Sequence, residues 1–338
     1  MAEIGVIGAG TWGTALAKLL VENGHRVTLW SAIGAEIDAL RESGEHPSLP
    51  GVPLPKELNF TKDLREAVQE KTLLVLAVPS VYVRQTAAKM AEFVKEGQIV
   101  VNVAKGIEEA TLKTLSEVIE EELPQAKIAV LSGPSHAEEV ARRLPTTCVA
   151  GAHERRVAEE IQALFMSDVF RVYTSSDMRG IELGGALKNV IALAAGIADG
   201  LGYGDNTKAA LITRGIAEIA RLGTALGGKF QTFCGLSGIG DLIVTCASMH
   251  SRNRRAGILI GQGRSMQEAM EEVKMVVEGV YSAKAAYTLA QKEGISMPIV
   301  EQVNAVLFEG KPASDAVREL MLRDKTTESS DMEWADFL

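Results

Sequence analysis

Short apolar runs rich in β-branched residues alternate with longer amphipathic stretches from residue 3 to about residue 174. This alternation is typical of a parallel sheet covered by helices. The predicted strands are Ile4–Ile7, Arg26–Trp30, Leu73–Val78, Ile99–Val103, Ile128–Leu131, Thr147–Ala150 and Phe170–Tyr173. The predicted helices between them include Thr11–Asn23, Val81–Val94 and Leu112–Glu122. We therefore expect an α/β domain with a doubly wound, mostly parallel sheet.

After about residue 175 the strand pattern gives way to long segments rich in alanine and leucine with helical spacing. These segments lie near residues 178–200, 206–226, 279–293 and 297–308, and glycine-rich loops at 200–204 and 235–240 separate some of them. The 338 residues suffice for two domains with sizeable cores. The sequence predicts one domain over residues 1–175 and an all-helical domain over residues 176–338.

A glycine-rich segment, Gly8-Ala9-Gly10-Thr11-Trp12-Gly13, joins the first predicted strand to the first predicted helix. One glycine allows the tight turn, the next lets backbone approach a diphosphate, and the third permits close packing of helix and strand. The helix amino terminus then offers unpaired N–H groups to the phosphates. A turn needed only for packing is the alternative, but the surrounding pattern favours a Rossmann-type dinucleotide-binding domain.

The end of the second predicted strand, Trp30-Ser31-Ala32, bears on which dinucleotide binds. An acidic side chain there would bind the ribose 2′-hydroxyl, whereas an arginine would attract a 2′-phosphate. These three positions carry neither, and Ser31 suits either ribose. The sequence leaves NAD and NADP open and predicts weak discrimination between them.

Net charge and cysteine content indicate which ligands and which cellular compartment suit this protein. The net charge of −9 argues against general affinity for nucleic acid or anionic membranes. The longest apolar run, from Asn189 to Ala198, is about half the length of a membrane span. The three cysteines suit a reducing compartment, and the histidines form no paired-ligand motif, so no metal is predicted. We expect a cytoplasmic protein without a membrane span.

One cation, Lys188, stands inside the otherwise apolar segment 184–196. Lysine is rarely buried without a partner, and burial lowers its pKa from about 10.4 toward neutrality. An amine in that range can act as a general acid or base. The alternative is a lysine that reaches the surface from an amphipathic helix.

A basic cluster, Ser251-Arg252-Asn253-Arg254-Arg255, stands out in this acidic chain. Arginine presents a planar fork that matches phosphate oxygens, and an asparagine amide adds a neutral donor. The cluster indicates an anion site. A solvated basic turn is the alternative, and it suits Arg254 and Arg255 better than their neighbours.

Further segments complete a recognisable set: Val103–Gly106, Leu131–Val140, Leu187–Val190, Gly204–Gly215 and Gly235–Arg255. In this order, from residue 3 to about residue 320, the chain resembles the NAD(P)-dependent glycerol-3-phosphate dehydrogenases of the bacterial type. The resemblance implies hydride transfer between NAD or NADP and the pair sn-glycerol 3-phosphate and dihydroxyacetone phosphate. It also implies a role in supplying glycerol 3-phosphate for phospholipid synthesis.

The resemblance and the motifs together give the expected site residues. Lys188 is the implied proton acceptor, and the expected catalytic residues are Lys188, Lys105 and Asp241. The expected substrate contacts are Lys105, Gly133, Ser135, Lys188, Asn189, Asp241, Thr245, Ser251, Arg252 and Asn253. The expected cofactor contacts are Gly8, Gly10, Thr11, Trp12, Gly13, Ser31, Lys105, Ala137, Arg252, Val276 and Glu278.

Two other classes of function, a different enzyme and a non-catalytic protein, are compatible with this architecture. Another β-hydroxyacid-type dehydrogenase or a ketopantoate reductase would share it, but we expect such enzymes to lack the segment Ser251–Asn253. A non-catalytic dinucleotide sensor would not require Lys105, Lys188 and Asp241 together. The oligomeric state is left open, with a homodimer as one option.

Overall fold

The computed structural model describes residues 1–325 and 327–328, so Thr326 and residues 329–338 of the predicted second domain lie outside the described residues. A single sheet is built from β1 (Glu3–Ile7), β2 (Arg26–Trp30), β3 (Asn59–Thr61), β4 (Leu73–Leu76), β5 (Ile99–Asn102), β6 (Lys127–Ser132), β7 (Thr146–Ala152) and β8 (Phe170–Ser175). Its spatial order is β3-β2-β1-β4-β5-β6-β7-β8. Neighbouring strands are parallel except β6 and β7. The expected mostly parallel, doubly wound sheet is confirmed.

Both faces of the sheet are buried. Along β4, Val75 belongs to one hydrophobic cluster, while Leu74 and Leu76 belong to the cluster on the other face. Burial on both faces explains why these strands read as nearly continuous apolar runs. The helices of this part are α1 (Thr11–Glu22), α2 (Gly34–Ser43), α3 (Leu64–Val68), α4 (Val83–Met90), α5 (Leu115–Glu122), α6 (Ala137–Ala141) and α7 (Arg155–Phe165).

Several predicted boundaries are wrong. Helix α5 does not start at Leu112, because Leu112 has a φ of 61° and Thr114 caps the helix in a capping box with Glu117. Helix α4 is shorter than the predicted 81–94, since a 3-10 turn over 80–82 precedes it. Strand β4 ends two residues before the predicted Val78.

Helix α2 and strand β3 were not predicted from the pattern. Helix α2 buries only Ile37 and Leu40, so its apolar spacing is faint. Strand β3 has three residues at the edge of the sheet, too few to show an alternation.

Beyond Ser175 the regular elements in the described part of the chain are helical, as expected. They are α8 (Met178–Gly200), α9 (Asp205–Ala225), α10 (Phe230–Phe233), α11 (Asp241–Ala247), α12 (Arg252–Gly261), α13 (Met266–Val273), α14 (Glu278–Glu293), α15 (Pro298–Phe308) and α16 (Ala313–Met321). Their core is a separate hydrophobic cluster that surrounds α8.

Two segments in the described part of the chain have the length and hydropathy of a membrane span. One is α8, whose most apolar window is 100% buried inside the protein. The other, Phe230–Ala247, is 39% buried and contains a non-helical residue, Gly238. Packing against other helices accounts for the apolar character of α8.

Helices α8 and α12 pack in close contact through glycines. A Cβ atom at Gly196 would lie 2.1 Å from a carbonyl oxygen of α12, and one at Gly257 would lie 2.2 Å from a carbonyl oxygen of α8. Only the absence of side chains permits this approach. It places the first residues of α12, Arg252 and Asn253, beside α8.

The predicted glycine-rich loop over 235–240 is instead a π-helical turn, Leu236–Gly240, that leads directly into α11. Gly238 interrupts it with φ −101° and ψ −105°. A Cβ atom there would lie 2.0 Å from the carbonyl oxygen of Phe233. The kinked turn delivers Asp241 as the first residue of α11.

Candidate active site

Lys105, Asp241 and Lys188 form one charged cluster. The Oδ2 atom of Asp241 lies 2.6 Å from Nζ of Lys105, and its Oδ1 atom lies 2.9 Å from Nζ of Lys188. The side chains of Asp241 and Lys188 are 2% and 7% exposed, whereas that of Lys105 is 20% exposed. The structure therefore brings together the three residues that the sequence predicted as catalytic, and Lys188 does not reach the surface.

Three elements position this cluster. Lys105 follows β5, and the side chain of Asn102 shapes the turn by accepting from the N–H of Ala104 at 3.1 Å. Lys188 lies in the middle of the buried helix α8, and Asp241 opens α11. The carboxyl edge of the sheet thus faces α8 and α11, where a crevice is expected in an open α/β fold.

The electrostatics of the cluster make Lys188 titratable. Burial lowers the pKa of Lys188 to about 8, with Asp241 opposing the shift and Lys105 adding to it. Burial acts to raise the pKa of Asp241, but Lys105 and Lys188 together hold it below its usual value. Asp241 is therefore a carboxylate at neutral pH. Lys188 can gain or lose a proton at a modest cost in free energy.

Thr245 completes the surroundings of Lys188. Its hydroxyl accepts from Nζ of Lys188 at 2.6 Å and donates to the carbonyl oxygen of Asp241 at 2.6 Å. Thr245 lies one turn after Asp241 on α11. Both side chains orient the same amine.

Gly133 and Ser135 lie beside Lys105 at the end of β6. The carbonyl oxygen of Gly133 accepts from Nζ of Lys105 at 3.0 Å and from the hydroxyl of Ser135 at 2.9 Å. Ser132, which the sequence analysis did not single out, has a buried hydroxyl with no hydrogen-bond partner among the described residues. Its position next to Gly133 leaves an unused donor at this edge of the crevice.

Asn189 and Asn253 are engaged with each other. The Nδ2 of Asn253 donates to Oδ1 of Asn189 at 2.9 Å, and its Oδ1 accepts from the N–H of Gly279 at 2.8 Å. These bonds join α8, α12 and α14. Both bonds orient the Asn253 amide, and Asn253 as a whole residue is 8% exposed.

The residues of the basic cluster 251–255 differ in burial and in hydrogen-bond partners. Ser251 caps α12 by accepting from the N–H of Arg254 at 3.2 Å. Arg252 is partly buried, burial lowers its pKa, and no side-chain hydrogen bond or ion pair engages it within the described residues. The interpretation of Arg254 as a solvated residue is wrong, because its Nε lies 2.7 Å from a carboxylate oxygen of Asp199. Arg252 is thus the member of the cluster that offers a fork to an anion.

Glu278 connects the helical part of the chain to the sheet. It accepts from the N–H of Ser80 at 3.0 Å and also from the Ser80 hydroxyl, and burial raises its pKa. Val276 lies just before α14 and is partly buried, while Ala137 opens α6. No motif in the sequence pointed to Ser80, which is 198 positions from its partner Glu278.

The glycine-rich segment has the geometry of a phosphate cradle. Gly8 has a φ of 123°, and a Cβ atom at Gly13 would lie 1.9 Å from the carbonyl oxygen of Gly8. Gly10 faces open space, with no atom within 4 Å of its Cβ position. The Thr11 hydroxyl is buried without a partner among the described residues. An orphaned donor, open space and a free helix amino terminus fit a dinucleotide diphosphate. Trp12 packs beside this turn against a small apolar cluster.

An acidic side chain does reach the end of β2, contrary to what the local sequence indicated. The Ser31 hydroxyl donates to Oε2 of Glu36 at 2.6 Å and accepts from the N–H of Ile33 at 3.1 Å. Glu36 belongs to the first turn of α2, five positions after Ser31. The prediction from Trp30-Ser31-Ala32 did not include Glu36, because Glu36 lies outside these three positions.

His136 is a further residue near the charged cluster that the sequence did not assign to the site. Burial lowers its pKa, and the nearby charges of Lys188 and Lys105 contribute to the same shift. Its ring lies 5.8 Å from that of His250, measured between centroids. It is therefore a neutral imidazole beside the charged cluster.

Comparisons with known proteins agree over both parts of the chain. The family model for the NAD-dependent glycerol-3-phosphate dehydrogenase N-terminus matches residues 3–158, and the model for the C-terminus of the same family matches residues 177–318. A protein of Agathobacter rectalis named glycerol-3-phosphate dehydrogenase, NAD(P)+, is 64% identical over 335 residues, covering 99% of this chain and 100% of that protein. A protein of Fusobacterium nucleatum with the same name is 59% identical, covering 97% of this chain and 99% of that protein.

A solved structure extends the similarity to the fold. The crystal structure of glycerol-3-phosphate dehydrogenase from Coxiella burnetii superposes with a TM-score of 0.92 at 38% identity. The superposition covers 95% of this chain and 99% of that one. With both family models matched and this level of identity over nearly the whole length, the chain belongs to the NAD-dependent glycerol-3-phosphate dehydrogenase family.

Proposed function

We propose that the chain interconverts sn-glycerol 3-phosphate and dihydroxyacetone phosphate with NAD or NADP. The observation that carries the proposal is the buried Lys188, paired with Asp241 and close to Lys105, at the carboxyl edge of a dinucleotide-binding sheet. Membership of the family supports the same substrate pair. The product glycerol 3-phosphate would serve phospholipid synthesis.

Lys188 carries the proton in this proposal. During oxidation its neutral amine accepts the proton of the substrate C2 hydroxyl, and during reduction its ammonium returns a proton to the C2 oxygen. A pKa of about 8 lets one group perform both tasks near neutral pH. Asp241 and Thr245 hold the amine in place, and Lys105 adds a positive charge near the C2 oxygen. The nicotinamide ring, when bound, supplies or accepts the hydride.

The remaining proposed substrate contacts lie near the same carboxyl edge of the sheet. Arg252 presents its guanidinium fork to the substrate phosphate. The neighbouring residues Asn253 and Ser251, which caps α12, fix the position of Arg252. Gly133, Ser135 and Asn189 line the crevice around Lys105 and Lys188. The substrate is thereby held by its charged end while C2 faces Lys188.

For the cofactor, the backbone from Gly8 to Gly13 and the Thr11 hydroxyl bind the diphosphate. Ser31 lies at the ribose end, while Lys105, Ala137, Arg252, Val276 and Glu278 surround the nicotinamide end. The division into a dinucleotide-binding domain over 1–175 and a substrate domain over 176–338 belongs to this proposal, as does a cytoplasmic location without a membrane span. A homodimer is the assembly to test first.

Initial rates test the proposal. Oxidation of NADH and of NADPH is followed by absorbance with dihydroxyacetone phosphate, with phosphate-free dihydroxyacetone as the control. We expect turnover with the phosphorylated substrate and little with the control. A non-catalytic sensor would bind the cofactor without oxidising it, and turnover of an unphosphorylated β-hydroxyacid instead would identify a different dehydrogenase.

A further inference from the structure

The carboxylate of Glu36 lies at the place where a dinucleotide-binding sheet receives the adenosine ribose. Ile7 and Trp30 are paired at the ends of β1 and β2, and the N–H of Gly8 donates to the carbonyl oxygen of Trp30 at 2.9 Å. Ser31 is therefore next to the first glycine of the phosphate cradle. Its hydroxyl holds Oε2 of Glu36 at 2.6 Å, so the carboxylate is fixed beside the cradle.

Two cations at this edge of the sheet contact groups other than Glu36. Nζ of Lys62 lies 2.6 Å from a carboxylate oxygen of Asp38, and Arg41 donates to the carbonyl oxygen of Phe60 at 2.8 Å. The imidazole of His46 lies close to Ala9 and Glu36, and burial lowers its pKa, so it adds no charge at neutral pH. Glu36 is the charged group that is hydrogen-bonded to Ser31, so a ligand at Ser31 meets its carboxylate directly.

We propose that Glu36 is a specificity residue that makes this chain bind NAD(H) in preference to NADP(H). The inference rests on the dinucleotide site of the proposed function and goes beyond it by naming which dinucleotide the site selects. It replaces the expectation of weak discrimination drawn from residues 30–32.

The Glu36 carboxylate accepts hydrogen bonds and donates none, and this decides which ribose it binds. An exposed carboxylate accepts a hydrogen bond from the ribose 2′-hydroxyl, as acidic residues do about 20 residues beyond the glycine motif in NAD-binding folds. A 2′-phosphate at the same place brings a second anion against Glu36 and offers no proton in return. Like charges in contact at a binding site discriminate strongly between partners.

Calorimetric titration of the full-length protein with NADH and NADPH tests the inference without requiring turnover. Glu36→Gln keeps the shape of the side chain and removes its charge. Glu42→Gln makes the same change of charge near the other end of α2, at an exposed position, and serves as the matched control. We expect Glu36→Gln to tighten NADPH binding by about tenfold or more while NADH affinity stays equal or weakens, and Glu42→Gln to change neither.

Two results would overturn the inference. One is an unchanged ratio of NADPH to NADH affinity in Glu36→Gln; the other is an equal shift in Glu42→Gln, which would assign the effect to net charge. A wild-type protein that binds both dinucleotides but never oxidises them with dihydroxyacetone phosphate would reject the proposed function and leave the affinity ratio measurable. The two failures are therefore distinguishable.

Discussion

At the scale of single residues, Asp241 lies between two ammonium groups and uses one oxygen for each. A buried carboxylate in that position stabilises the positive charge of Lys188, while Lys105 and burial act against it. The pKa of Lys188, about 8, results from this balance. Changing one member of the cluster should move the titration of another.

Asp241→Asn tests that balance through the pH dependence of dihydroxyacetone phosphate reduction. Reduction requires protonated Lys188, so kcat falls as the pH rises through the pKa of Lys188. Loss of the carboxylate removes the group that raises this pKa, and we expect the alkaline limb of the kcat profile to move to lower pH by about one unit or more. If kcat drops in Asp241→Asn but the alkaline limb of its kcat profile remains at the wild-type pH, Asp241 affects only the local structure and not the pKa of Lys188.

The sequence indicated Lys188 because its neighbours along the chain are apolar, and that information is local. Glu36 was missed because a turn of backbone brings it back to Ser31, and residue spacing alone does not show that turn. The contact between Ser80 and Glu278 joins distant segments, so one sequence could not reveal it. Residues of the site could be named from motifs, whereas their partners required the fold.

At the scale of elements, the position of the proposed phosphate-binding residues, Arg252 and Asn253, depends on how closely α12 approaches α8. Glycines on each helix meet carbonyl oxygens of the other, at Gly196 and Gly257. The sequence predicted α8 from its apolar periodicity, but a stripe of glycines does not by itself identify the helix that packs against it. Arg252 and Asn253 are the first two residues of α12, so the position of α12 sets their positions.

We expect Gly196→Ala to separate the two helices. Its methyl group would meet a carbonyl oxygen at 2.1 Å, and overpacking of this kind typically costs about 1–3 kcal/mol. The free energy of unfolding in urea should fall by that amount, and KM for dihydroxyacetone phosphate should rise. An unchanged unfolding midpoint would mean that α8 and α12 adapt without strain.

At the scale of the whole molecule, two buried carboxyl groups link helices that are distant along the chain. Glu182 of α8 accepts from the N–H of Ser116 at 2.8 Å, and Glu218 of α9 accepts from the N–H of Ile299 at 2.9 Å. Burial raises the pKa of each to about 7, although the N–H donors oppose the shift. Their titration should make the stability of the folded chain depend on pH.

The sign of that dependence follows from linkage. The folded state binds more protons than the unfolded state between the unfolded pKa, about 4.5, and the folded pKa, about 7, so stability falls as the pH rises through this window. Glu218→Gln removes one of the two titrations. We expect the loss of unfolding free energy between about pH 5 and about pH 7 to be smaller in the variant, by up to ~1.4 kcal/mol per pH unit. Equal slopes in variant and wild type would contradict a raised pKa for Glu218.

In the proposed function, Lys188 transfers the proton at C2 of the substrate. The most direct measurement is kcat for dihydroxyacetone phosphate reduction by Lys188→Met, together with its NADH affinity by calorimetry. Lys284→Met, which replaces an exposed lysine paired with Glu109, is the control. We predict a kcat about 10²–10⁴-fold below wild type for Lys188→Met, with NADH affinity retained, and a normal kcat for the control. A Lys188→Met enzyme with kcat within about tenfold of wild type would contradict the assignment of Lys188 as the acid and base.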